Sequence, residues 1–490
     1  MKYIAFLFLF LPFVSISQVQ IGDDIDGEAA GDKSGNNVSL SANGNIVAIS
    51  SPFNNGNGTD SGHVRVYENL VGVWTQIGED IDGESAGDLS YILSLSSNGN
   101  ILAIGGLFND GTGINSGHVR IYENLGGIWI QIGEDIDGEA FEDLSGFNIS
   151  ISSDGSIVAI GAVENDGNGS NSGHVRVYEN LGGVWTQIGE DIDGEAIGDG
   201  SGNSVSISEN GSIVAIGARL NDENGVDSGH VKVYENLVGV WTQIGQDIDG
   251  EMADDRSGWS IELSADGGIV AIGSPFNDGN GDLSGNVRVY ENLDGVWTQM
   301  GADIDGETIG DLSGFSVSLS SNGKVLAIGG PVNDGNGLVD SGHVRVYENL
   351  VGVWTQVTTD IGGEAAGDNS GNSVSLSSDG RTIAIGAELN SGVNGFESGH
   401  VRLYNLTDIL SVEKASLFKF NLYPNPTKTQ FTIQLDPSIQ LKQVTIYNTL
   451  GQLVLESKDV IVNTSTLAAG SYVVEATTSN GKTSKKLIIE

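Results

Sequence analysis

Apolar and small polar residues alternate along this chain in short bursts, each bounded by glycine-rich turns. Ser204-Val205-Ser206-Ile207-Ser208 alternates strictly, the period-2 signature of a half-buried strand. Ile213-Val214-Ala215-Ile216-Gly217-Ala218 is apolar on both faces, which predicts a buried strand with Ala and Gly where neighbours crowd. Val231-Lys232-Val233-Tyr234 alternates again. Val240-Trp241-Thr242-Gln243-Ile244 supplies a fourth segment, paired to the third through the Glu235-Asn236-Leu237-Val238-Gly239 turn. No part of this pattern has helical periodicity, so the unit is four short antiparallel strands.

The unit is written seven times. His63, His118, His174, His230, Asn286, His343 and His400 mark one equivalent position, 55–57 residues apart. A fixed period of this length signals a repeat architecture, in which no unit buries its apolar face alone. A Trp-x-Gln segment follows the first six copies, from Trp74-Thr75-Gln76-Ile77-Gly78 to Trp354-Thr355-Gln356, with glycine two residues further on in the first five. The seventh copy runs from Val401-Arg402-Leu403-Tyr404 into unrelated sequence, and its missing segment stands at the other end as Val19-Gln20-Ile21-Gly22. A ring whose two ends complete one unit accounts for this displacement; an open stack does not. The expected fold is all-β: a seven-bladed β-propeller over residues 18–405, closed by an N-terminal strand that removes exposed sheet edges.

Strand direction fixes where the loops emerge. The Asn-Asp-Gly-Asn-Gly loops after strand two and the Asp-Ile-Asp-Gly-Glu loops after strand four fall on one face. The Ser-Asp-Gly and Glu-Asn-Leu-Gly-Gly turns fall on the other. Most of the acid is therefore expected on one side of the disc. The formal charge of the 490-residue chain is −44, a field that repels nucleic acid and anionic lipid and attracts cations and basic partners. Glycine at 73 and proline at 7 suit many short strands joined by tight turns. Lys2, the apolar run Ile4 to Val14 and Ser15-Ile16-Ser17 have the form of a secretory signal peptide over residues 1–17. With no cysteine, an exported chain must be held by packing or by hard cations.

Two families are recognisable in these motifs. Ser-Gly-Phe-Ser-Val at Phe315 and Ser-Gly-Phe-Asn-Ile at Phe147, with Gly273-Ser274-Pro275 and Gly329-Gly330-Pro331, resemble bacterial FG-GAP repeats, the units of integrin-like propellers. That family's calcium loop lies between the first two strands of a blade, where this chain has only Ser-Asp-Gly or Ser-Asn-Gly. Beyond a linker at 406–416, residues 417–490 resemble a type IX secretion C-terminal sorting domain. The matching segments are Leu422-Tyr423-Pro424-Asn425-Pro426-Thr427, Val444-Thr445-Ile446-Tyr447-Asn448, Leu467-Ala468-Ala469-Gly470-Ser471-Tyr472 and Lys486-Leu487-Ile488-Ile489-Glu490. The resemblance implies a small immunoglobulin-like sandwich, read by an outer-membrane translocon and a sorting peptidase. It also implies release from, or attachment to, the surface of a Gram-negative cell.

The candidate chemistry lies in the acidic loops. Asp80, Asp82, Glu84 and Asp88 stand at positions 1, 3, 5 and 9 of their loop, as do Asp24, Asp26, Glu28 and Asp32, and Asp191, Asp193, Glu195 and Asp199. Calcium takes six to eight hard oxygens from a flexible loop, so these twelve are candidate calcium ligands. The glycine at position 4 and Gly362 in place of an Asp depart from a regular calcium loop. An extended segment would instead leave the acids as a solvated rim. The His-x-Arg pair and the repeated Trp fit structural ladders between blades. No nucleophile elbow, zinc-protease helix, P-loop or dinucleotide fingerprint is present. Asymmetry appears at Met252-Ala253-Asp254-Asp255-Arg256-Ser257-Gly258-Trp259 and at Asn286. The expected role is a non-enzymatic surface or secreted module that binds extracellular protein or glycan through its acidic face. The alternatives are a polysaccharide lyase or hydrolase built on one divergent blade, and a structural surface component.

Overall fold

A computed structural model describes residues 18–407, 420–435, 441–448, 453–478 and 481–489. The signal-peptide segment 1–17 and most of the 406–416 linker lie outside the described residues. The chain divides into two units, residues 1–409 and 410–490.

The first unit is a seven-bladed β-propeller. Its first blade runs Val38–Leu40, Ile46–Ser51, His63–Asn69 and Trp74–Gln76, each strand antiparallel to the last. Five further blades repeat this order. The seventh takes three strands from Ser373–Leu376, Thr382–Ala387 and His400–Asn405, and its fourth from Val19–Gln20. Val19 faces Asn405 and Gln20 faces Tyr404, and Ile21 N–H donates to Leu403 O at 2.7 Å. The displaced segment therefore closes the circle.

Each apolar cluster spans two blades. Ala48, Val64 and Val66 of the first blade pack with Leu93, Leu95, Leu102 and Ile104 of the second. The clusters continue around the ring, so each blade depends on its neighbours for burial, as a nearest-neighbour repeat must. Tryptophan fastens the outer edge: the indole N–H of Trp74, Trp129, Trp185, Trp241, Trp297 and Trp354 donates to a carbonyl of the preceding blade at 2.8–3.0 Å.

The inner edge carries a feature the sequence pattern did not reveal. Ala42 N–H donates to Ser97 O, Ser97 to Ser153, Ser153 to Glu209, Glu209 to Ala265, Ala265 to Ser321, Ser321 to Ser378, and Ser378 back to Ala42, all at 2.8–2.9 Å. This closed belt of backbone hydrogen bonds girdles the axis at the Ser-Asp-Gly end. A second belt lies deeper. The Oγ of Ser39, Ser94, Ser150, Ser206, Ser318 and Ser375 accepts from the backbone N–H of Leu95, Ile151, Ile207, Leu263, Leu376 and Leu40 in the adjoining blade, at 2.9–3.2 Å. Glu262 holds that position in the fifth blade.

Blades approach closely only where side chains vanish. A Cβ on Gly161 would lie 2.1 Å from Gly202 O of the next blade. Gly161→Ala should therefore cost about 3 kcal/mol by forcing rigid backbones apart. Chemical denaturation measures it, and a loss within error would show that the blades can part.

The expectation of four strands per unit needs one addition. Ile81–Asp82 forms a two-residue strand on the outer side of the third strand, with His63 facing Asp82 and Val64 facing Ile81. Ile81 is buried, so the apolar residue between two aspartates draws the acidic loop back onto the blade. Every blade has this fifth strand.

The second unit is a β-sandwich. Asn421–Tyr423, Gln430–Gln434 and Ile461–Asn463 make one sheet; Leu453–Ser457, Leu441–Tyr447, Gly470–Thr478 and Gly481–Ile489 make the other. Phe420, Phe431, Ile433, Val444, Ile446, Val462, Val474 and Leu487 fill the space between them. Asn425 of the Tyr-Pro-Asn-Pro motif donates to Lys486 O at 2.8 Å and accepts from Ile488 N–H at 2.9 Å. The first signature motif thus clamps the last.

Candidate functional site

The predicted loop acids occupy four different surroundings. The position-1 carboxylates Asp24, Asp80 and Asp191 accept from Gln20, Gln76 and Gln187 at 2.6–2.7 Å. The position-3 residues Asp26, Asp82 and Asp193 lie in the fifth strand. Asp82 Oδ1 fills the space that a side chain on Gly56 would need. Burial, with the neighbouring position-1 aspartate second, holds all three carboxyls above their usual pKa. Position 9 is internal. Asp32, Asp88 and Asp199 are buried, each accepting a backbone N–H three residues upstream at 2.9–3.1 Å and the Asn54, Asn109 or Asn221 amide at 3.0–3.3 Å. The four positions of one loop therefore meet four different sets of partners.

What the fold does bring together spans two blades. Position-5 Glu28 reaches the next blade, where its carboxylate lies 3.5 Å from Arg65 and 4.0 Å from His63 Nδ1; Asp80 Oδ2 lies 3.6 Å from the same nitrogen. Glu84 meets Arg120 and His118 in the same way, with Asp135 at 3.5 Å. In the fourth blade Lys232 replaces the arginine and pairs with Glu195, with Asp247 at 3.5 Å. Burial raises Glu28 and Glu84, opposed by the adjoining arginine. Burial, reinforced by that arginine, lowers His63, His118, His174, His343 and His400 to about 4, so these imidazoles are neutral. The arginines of His-x-Arg also cross blades, donating to carbonyls such as Asp26 O and Asp82 O at 2.9 Å, and stack about 5.6 Å over Tyr67 and Tyr122. The pair is a strut between blades, complete in five of them, with Lys232 for the arginine in the fourth and Asn286 for the histidine in the fifth.

The channel on the axis breaks the repeat. Its cavity of about 600 Å³ is lined by the innermost strands of all seven blades. The mouth lies at the start of these strands, on the face where Asn57 of the strand-two loop donates to Gly83 O and Glu84 O of the acidic loop. At one equivalent mouth position stand Asn36, Tyr91, Phe147, Asn203, Trp259, Phe315 and Asn372. Six of the seven tryptophans hold the outer repeat position; Trp259 is the seventh. Its ring lies 5.3 Å from both Phe276 and Phe315, and the Arg219 guanidinium sits 4.4 Å over it and 5.9 Å from Phe147. Arg256 caps Phe276 at 4.7 Å and pairs with Asp227 at 3.8 Å. Burial and then Arg256 lower the Arg219 pKa. Glu388, in the seventh blade, accepts from Asn36. Tyr91 is raised by burial and by Glu388. Deeper, loss of water pushes Glu262 up to about 8, so the carboxyl is mostly protonated at neutral pH.

Of these groups, the sequence had singled out only the stretch ending in Trp259. Arg219 and Glu388 follow strand two where other copies have Pro52, Leu107, Val163, Pro275 and Pro331, and Glu262 interrupts a column of serines. Aligning the copies against one another exposes all three. Asn286 pairs with Asp305 in the outer ladder and takes no part in the channel.

The chain is thus an exported propeller carrying its own address. Residues 421–490 match the family described as the secretion system C-terminal sorting domain, a type IX signal that places the protein at the cell surface or in the medium. Among curated proteins, the ulvan lyase NLR42 of Nonlabens ulvanivorans is 37% identical over 86 residues, 16% of either chain. The chain thus spans about a sixth of that relative's length. Among solved structures, a candidate 6-phosphogluconolactonase of Bacteroides uniformis is 16% identical, with a TM-score of 0.47 over 67% of this chain and 86% of the other. Hydrazine synthase of Kuenenia stuttgartiensis is 14% identical, with a TM-score of 0.49 over 78% and 97%.

Proposed function

We propose that this chain is a non-enzymatic binding module of the FG-GAP type, delivered by the type IX machinery. It engages an extracellular glycan at the centre of its acidic loop face. One observation carries the reading: the channel mouth is where seven near-identical blades differ in kind, and a ligand needs one asymmetric seat. The cavity is of ligand size and combines an aromatic platform with a few polar groups, the usual composition of a small-ligand site. Fold alone argues for nothing here.

Glycan-array binding of residues 18–490 tests this. Retention on a defined set of saccharides, lost with Trp259→Asn, is the expected result. Asparagine is the residue of three sister blades at that position, so folding should survive. An array silent for every saccharide sinks the reading. The partial match to a lyase favours a second proposal, cleavage of a polysaccharide at the same mouth, which product analysis after incubation with ulvan distinguishes. Calcium at the Asp80–Asp88 loop and its equivalents is a subsidiary proposal that requires the loop to reopen. Millimolar calcium should then raise the melting temperature by several degrees, and an unmoved melt removes it.

A further inference from the structure

Resting on the glycan-binding reading, we propose that the channel mouth takes the terminal residue of a carboxylate-bearing saccharide, a uronic-acid chain end, with Arg219 as the anion-reading group and Trp259 as the stacking surface. Arg219 has no carboxylate within ion-pair distance among the described residues, in a chain with 65 acidic residues against 21 Lys and Arg. It is half-buried, its guanidinium lies 4.4 Å from the centre of the Trp259 ring, and the charge beside it is that of a second arginine, Arg256. Arg256 is already neutralised by Asp227 at 3.8 Å, so Arg219 is the cation left to take an anion, and a planar guanidinium matches a carboxylate bidentately. Trp259 and Phe315, both half-buried with rings tilted at 46°, line the same mouth and supply apolar edges for a sugar ring beside the guanidinium.

The remaining groups suit hydroxyls. Glu388 and the amides of Asn36, Asn203 and Asn372 share the mouth with Arg219, and the serine column lines the wall below. Glu262, standing in that column, puts a longer polar group on the wall than the serine of the other six blades.

Charge selects an end over an internal segment. A polyanion laid across the disc would meet the acidic rim of every blade. An end entering along the axis meets a mouth that carries Arg219 on one side and Glu388, already accepting from Asn36, on another, and the rest of the chain points away from the face. Neutral sugars would gain the stacking but leave Arg219 unpaired, a desolvated group without its partner.

Calorimetric titration of residues 18–490 with a glucuronic-acid-terminated disaccharide and its glucose-terminated counterpart tests this directly. The acidic sugar should bind at least about tenfold tighter. Arg219→Val, which installs the residue of the third blade at that position, should abolish the preference while leaving the melting temperature within a few degrees of the wild type. Trp259→Asn should weaken both. Glu262→Ser, the residue of the other six blades, should weaken both. Equal affinity for the two sugars, or a preference that survives Arg219→Val, overturns the inference and leaves glycan binding standing. Binding of neither sugar, with an empty array, overturns both.

Discussion

A chain beginning at residue 23 should melt roughly 4–6 °C below one beginning at residue 18, a disproportionate effect for five terminal residues. Terminal segments ordinarily contribute little unless they are tied into a sheet. Here the segment forms the edge of the seventh blade through Val19 and Gln20, and Ile21 packs in the cluster with Val47, Ile49 and Leu403. The Ile21 carbonyl accepts from the Trp74 indole at 2.8 Å, so the junction between the seventh and first blades also loses its outer fastener. Together these contacts amount to roughly 3–5 kcal/mol. The loss falls on closure itself, since His400–Asn405 becomes an open strand edge. Grafting the turn and fourth strand of the sixth blade, residues 350–357, after Asn405 of the shortened chain should restore the melt. An unshifted melting temperature on deletion, or no rescue by the graft, would mean the ring does not depend on this strand.

The ring, its blade count and its closure were legible in the sequence because repetition turns one pattern into seven independent readings. Fold-back of the acidic loop was hidden. Asp-Ile-Asp is too short to show a period, and Ile81 is buried by a partner, Val64, fixed only by register. The same fold-back explains why Asp80, Asp82, Glu84 and Asp88 read as one ligand set yet separate in space. In a strand, residues 80, 82 and 84 share a face; one meets a glutamine, one the strand-two loop and one the next blade. The channel was obscured for the opposite reason. A consensus suppresses the positions where single copies differ, and Arg219, Glu262 and Glu388 are such positions. Reading the copies for likeness finds the scaffold; reading them for difference finds the candidate seat.

Acid should unfold this propeller cooperatively, and five imidazoles should set much of the slope. His63, His118, His174, His343 and His400 are held to about 4 in the folded chain, chiefly by burial, and return to about 6.5 when it unfolds. A depressed folded value means the unfolded chain takes up protons first. The stability from neutral imidazole is therefore complete above about pH 6.5 and is lost as pH falls toward 4. Each site could contribute up to about 3 kcal/mol on this basis. Around His63, Asp80 and Asp32 pull the value up and Arg65 pulls it down, so about 1 kcal/mol per site is the fairer expectation, or roughly 5 in sum. Carboxyls raised by burial, such as Asp26 and Asp82, act in the opposite direction as pH falls, because the folded chain binds their protons more readily. They are common to wild type and to a variant with all five histidines changed to Asn, the residue the fifth blade already carries at 286. Urea unfolding at pH 7.0 and 4.5 should show the wild type losing several kcal/mol more than the variant between the two conditions. Parallel losses would mean the histidines are not the groups being titrated, and that the space around Nδ1 admits enough water to let them protonate in the folded ring.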